Sequence, residues 1–156
     1  MAATAPALAL ERPNLLRPIL VGGGIAGILD QISAFITLGH NVPRNVAAGL
    51  IGHHAAFSPS IFPWVLGLFL HFFIAYSAAT IYCLASRKLS FLAGHWFVCG
   101  LYYGISVFLV MYFIVMPLCA FHYAGPYQLR GLIQGLLVHM LLIGLPIAFS
   151  LHKLAR

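Results

Sequence analysis

Asp30 is one of only two acidic residues in a chain of 156, and it stands inside the apolar, glycine-rich stretch 21–36. A carboxylate in hydrocarbon costs roughly 2.5–3.5 kcal/mol on insertion scales, so the fold must offset it. The expected partners are His71 and His139, each inside its own apolar run and each four residues after a glycine, Gly67 or Gly135. One carboxylate beside two imidazoles is suited to four kinds of chemistry. It can be packing glue, with Asp30 fixing an imidazole tautomer while Gln31, Gln134 and tyrosines satisfy the remaining polar atoms. It can relay protons or a small solute, with Tyr102, Tyr103 or Tyr112 as neighbours. Two histidines on facing helices can be axial ligands of a b-type haem, Gly67 and Gly135 leaving room for the porphyrin. Two histidines and a carboxylate can also form a facial set for a transition metal. These readings stay open at the level of sequence.

Other reactive residues lead less far. The adjacent His53 and His54 cannot turn to one ion from a regular helix, so they read as a polar loop pair. Cys83, Cys99 and Cys119 show no zinc-type or redox spacing, and neither a disulfide framework nor a metal site is expected. There is no nucleophile–base pair, phosphate loop or carboxylate pair, so no enzymatic role is expected.

The elements that position these groups follow from solvation. Hydrophobic residues make up 62% of the chain and charged ones 6%, against about 25% charged in a soluble domain. So little charge cannot cover a surface facing water, and lipid is the expected solvent. The net charge of +6 is spread as single cations at the ends of apolar runs, a pattern that sets topology and excludes a nucleic-acid partner. Four runs have the roughly 20 residues a helix needs to cross hydrocarbon: residues 18–38, 63–84, 93–116 and 131–151. Pro18 and Pro63 suit first helical turns, and Pro117 is expected to stop the third span. Residues 1–17 read as a short cytoplasmic tail, disordered or interfacial, and 18–156 as one four-span membrane domain.

Arg12, Arg17, Arg87, Lys88, Lys153 and Arg156 fall on one side, and only Arg44 and Arg130 on the other. The bias places both termini in the cytoplasm. In the first outer loop, Asn41-Val42-Pro43 announces a short helix lying in the interface. The second holds Phe121, His122, Tyr123 and Tyr127, which suit the headgroup belt.

Helical spacing puts Gly23, Gly27, Asp30, Ala34 and Thr37 on one stripe, Gly67, His71, Ala75, Ala78 and Tyr82 on a second, Gly100, Gly104 and Val107 on a third, and Gly131, Gly135 and His139 on a fourth. Small residues four apart let helices approach closely, so these stripes are the expected packing faces. Phe69, Phe72, Phe73 and Phe108 read as exposed aromatic ridges, and Leu136, Leu137 and Leu141 as lipid-facing. Counting from the cytoplasmic span ends puts Asp30, His71 and His139 at one level near the bilayer centre. The pairing of Gly67/His71 with Gly135/His139, and of Gly23/Gly27 with Gly100/Gly104, suggests two copies of a helical hairpin.

The expected fold is therefore an all-α, four-helix integral membrane bundle. The leading functional expectation is a structural or accessory subunit that packs with itself or with a larger membrane complex. A proton- or solute-conducting oligomer comes second and a haem protein third. Beyond haem b as that alternative, with bound lipid or pigment as further candidates, no cofactor is expected.

The motifs Gly23-xx-Ala26-Gly27, His71-Phe-Phe-Ile-Ala75 followed by Tyr82-Cys83, the Gly100/Gly104 span ending at Pro117, and Gly135-xxx-His139 resemble those of YagU-type bacterial inner-membrane proteins. The resemblance covers the four spans, without the tail or the first outer loop. It implies a small bacterial inner-membrane protein, adds no catalytic residue, and does not extend to Asp30.

Overall fold

The computed structural model describes residues 14–120, 122, 125 and 128–155. The expected tail up to residue 13, Phe121, Tyr123 and Tyr127 of the belt, and Arg156 lie outside the described residues. Every regular element among the described residues is helical. Four helices are long and apolar enough to cross a membrane: α1 (Leu16–Leu38), α4 (Phe62–Ser86), α6 (Trp96–Leu118) and α7 (Leu129–Leu154). Three short helices connect them: α2 (Val42–Ile51), α3 (His53–Ala56) and α5 (Phe91–Gly94).

Helix starts follow the local chemistry. The Asn14 side chain accepts the Leu16 N–H at 3.0 Å and Ser60 Oγ accepts the Phe62 N–H at 3.1 Å, each satisfying a donor that the helix itself leaves unpaired. Pro63 sits in the first turn of α4 and Pro43 in that of α2, where a missing N–H costs nothing. The third span starts later than expected. Residues 91–94 form the separate helix α5, and the chain bends at His95 before α6 begins. The Tyr82 hydroxyl donates to Leu92 O and His152 Nδ1–H to Ala93 O, holding α5 across the end of the bundle. Pro117 does not stop α6 at once, since the helix runs on to Leu118.

Packing is set by glycines. A Cβ on Gly23 would meet the Tyr76 ring, and one on Gly27 the Phe72 ring 2.8 Å away, so α1 lies close along α4. Gly104 sits against the backbone of His139 and Met140, and Gly144 against that of Gly100 and Gly104, so α6 and α7 touch main chain to main chain. Three expectations are corrected here. Gly131 has open space around it and is exposed, so it packs nothing; the close approach on α7 falls at Gly144 instead. Phe108 is buried against Tyr112 and His139, because Gly135 lets it inside. Phe72 fills the hollow at Gly27 and is no lipid-facing ridge.

The spans therefore follow the order α4, α1, α7, α6, with α4 and α6 backbones staying apart along their lengths. A core of small and aliphatic residues (Ala26, Ala79, Cys83, Ile147, Ala148, Leu151) fills the half of the bundle near α5. At the other end the expected short helix α2 forms and packs onto the bundle. The Pro43 backbone seats directly on Gly67 of α4, and Val42, Pro43, Ala47 and Ala48 are buried.

Arg44 holds this cover down. Its guanidinium donates to the carbonyls of Ala56 at 2.9 Å, Ser58 at 2.8 Å and Ser60 at 2.8 Å, three acceptors that α3 and the turn after it leave at their ends. Arg44→Ala is expected to cost about 2 kcal/mol, given the usual worth of hydrogen bonds to a charged donor. It should also speed proteolysis within residues 53–61. Lysine should restore only part, lacking the fixed fork. Unchanged cleavage in Arg44→Ala would count against the clamp.

A candidate polar cavity at the α2 end

Asp30, His71 and His139, from three different spans, line one cavity of about 330 Å³. Its walls are otherwise mostly apolar, with Ala34, Ile74, Val107 and Met111 among them, and Asn45, Val46 and Gly49 of α2 close one end. Tyr112 and Cys119 also face it. The Ala120 N–H donates to Gly49 O at 2.8 Å, tying the end of α6 to this cover.

The three ionisable residues share a level, counted from the helix ends. Asp30 lies 14 residues from Leu16 and 8 from Leu38. His71 lies 15 from Ser86 and 9 from Phe62, and His139 lies 15 from Leu154 and 10 from Leu129. At 1.5 Å per residue the cluster is about 12–15 Å from the α2-side ends and about 21–22 Å from the others.

Proton positions follow from the acceptors. His71 Nε2 is 2.9 Å from Gly27 O, and a carbonyl can only accept, so this nitrogen carries hydrogen. His71 Nδ1 is then left facing Asp30 Oδ2 at 4.0 Å, within ion-pair range and beyond a direct hydrogen bond. By the same reasoning His139 Nδ1–H donates to Gly135 O at 2.7 Å, one turn back on its own helix. A neutral His139 ring thus keeps its lone pair on Nε2. The pair at Asp30 can take up or release a proton on Nδ1 or the carboxylate without disturbing the bond to Gly27.

Both remaining spans distort beside the cavity. Residues Met111–Val115 of α6 and His139–Gly144 of α7 form π-helical turns, and Tyr112 and His139 belong to them. Each lies just ahead of a proline, Pro117 or Pro146, whose ring would clash with the carbonyl four residues back. The widened turn relieves that clash, and such turns recur at functional sites.

Several expected contributors lie elsewhere. Gln134 is exposed. Gln31 is buried with both amide atoms lacking a hydrogen-bond partner, so it supports nothing and is itself a cost of about 1–3 kcal/mol. Tyr102 is exposed, and Tyr103 is not in the lining although its hydroxyl donates to Ala78 O at the cavity's edge, which leaves Tyr112 as the tyrosine that lines it. The room foreseen for a porphyrin is taken: the Pro43 backbone fills the hollow at Gly67, and Phe108 and Tyr112 approach to 3.0 Å of where a Gly135 Cβ would stand. No three His, Cys, Asp or Glu among the described residues are grouped to hold a metal ion, so the facial set does not form. His53 stacks on Phe57 at the surface.

Of the three tyrosines expected as neighbours, Tyr112 is the one at the cavity, while the clamp role of Arg44 and the contact at Gly144 were passed over by sequence reasoning. Gly144 and Ala148 are themselves a small pair four apart, a signal as good as the Gly131/Gly135 pair favoured in its place. Comparison with protein-family models, curated proteins and solved structures returns no match to this chain.

Proposed function

We propose that the chain is a multi-pass membrane protein that passes protons, or a small protonatable solute, by way of the cavity at Asp30, His71 and His139. The observation carrying this reading is that three ionisable side chains from three apolar spans face one common space. Intramembrane ionisable groups are costly, and a water-accessible pathway is a usual reason to keep them. The role is non-enzymatic. Both termini lie in the cytoplasm, a placement supported by the Lys/Arg bias, and the motifs shared with YagU-type proteins favour a bacterial inner membrane. The packing of Gly23/Gly27 on α4 and of Gly100/Gly104 on α7 supports a repeat of two helical hairpins. The protein works as an oligomer, because four spans are few to enclose a path.

An accessory-subunit role has less on its side. The exposed Phe69 and Phe73 rings are what any lipid-facing helix presents, and they select no partner. Proteoliposomes holding an imposed pH gradient test the proposal. Wild-type protein is expected to collapse the gradient at least tenfold faster than protein-free vesicles, and Asp30→Asn to return the rate to the vesicle background. A wild type no leakier than empty vesicles would remove the proton reading, and Asp30→Asn retaining the full rate would remove the site.

A further inference from the structure

The open seam between α4 and α6 holds a second hollow. Toward α5 lies a groove of about 580 Å³ lined by Ile81, Tyr82, His95, Cys99, Tyr103 and Ser106, among others. The two linings succeed one another turn by turn. On α4, Ala75 and Ala78 face the α2-side cavity, and Ile81 and Tyr82 face the groove. On α6, Val107 and Met111 face the cavity, and Tyr103 and Ser106 the groove.

Two tyrosines stand at the join. The Tyr103 hydroxyl crosses the seam to donate to Ala78 O at 2.7 Å, and the Tyr82 and Tyr103 rings lie 4.8 Å apart. We propose that Tyr82 and Tyr103 form the barrier between the α2-side cavity and a route to the opposite end of the bundle, with Tyr103 as the movable part. The inference rests on the passage reading above and adds the path it would follow.

Three features fit a barrier that opens. It is made of side chains, while the α4 and α6 backbones stay apart. Ala78 lies inside α4, so its carbonyl also accepts within the helix, and losing the Tyr103 hydroxyl orphans nothing on the backbone. The residues opposite are small, Ala78 and Ala79, and Tyr82 stays held to Leu92 O when the Tyr103 ring is displaced. Beyond the barrier, toward α5, His95 offers the next polar group in the groove lining.

The native cysteines report on the two sides, since Cys119 lines the cavity and Cys99 the groove. Single-cysteine proteins, with the other two cysteines changed to Ser, are reconstituted and treated with a membrane-impermeant, charged thiol reagent on either face. The face that labels Cys119 defines the α2 side. From that face Cys99 is expected to label at least tenfold faster in Tyr103→Ala than with Tyr103 intact. Tyr103→Phe, which keeps the ring and loses only the tether, should give a smaller increase and serves if the alanine variant does not fold. Equal Cys99 labelling from the α2 side across the folded variants, or Cys119 closed to both faces, overturns the barrier. Labelling is read without any flux. A labelling shift with flux independent of Asp30 therefore keeps the barrier and removes the relay, and the converse result does the reverse.

Discussion

Gly104→Ala is expected to leave little folded protein. The new methyl group would lie against the Met140 Cα and within 2.5 Å of His139 O, which are backbone atoms that no rotamer change can move aside. Overpacking usually costs about 1–3 kcal/mol, and contact between main chains belongs at or beyond the upper end. The same change at Gly23 meets the Tyr76 ring first, which can turn away in part, so a milder loss follows there. Gly131→Ala meets nothing and should gain up to about 1 kcal/mol from helix propensity. Monodispersity on size-exclusion chromatography and melting in detergent would rank the three. Gly104→Ala melting with the wild type would mean that α6 and α7 are not in backbone contact.

That contact also shows how far the chain can be read without coordinates. The four spans were legible because apolar runs between prolines and cations leave a helix no other solvent than lipid. The helix at Val42–Ile51 was legible for a local reason, Pro43 following Asn41. Its seat on α4 was not, because it depends on Pro43 meeting Gly67, two residues whose separate patterns say nothing of each other. Arg44 was weighed only as a topological charge. Its three carbonyl acceptors belong to a turn that no periodicity announces. On α7 the glycine spacing misled, since the π-helical turn after His139 rotates the face that meets α6, bringing Gly144 to the contact. The common level of Asp30, His71 and His139 followed from counting residues, and the fine geometry did not. That Asp30 faces His71 Nδ1 is settled by Gly27 O holding Nε2, a bond that depends on the register of α1 against α4.

The same bond makes the second large effect a coupling. His71→Ala removes the group facing the Asp30 carboxylate and leaves that charge in an apolar wall, while also giving up the bond to Gly27 O. Removing one partner of a buried ion pair costs about 3–5 kcal/mol, and access to the cavity should lower this to about 2–3 kcal/mol here. Asp30→Asn should cost less, because a neutral amide tolerates the site without a counter-charge. If the two groups are coupled, the double change His71→Ala with Asp30→Asn loses less than the sum of the single changes. A difference of about 1–2 kcal/mol lies within the range found for contacting residues. Denaturant unfolding of the four proteins in one detergent measures it. A strictly additive cycle would mean that histidine and carboxylate do not sense each other, and the cavity would then hold three separate groups with no shared proton to pass.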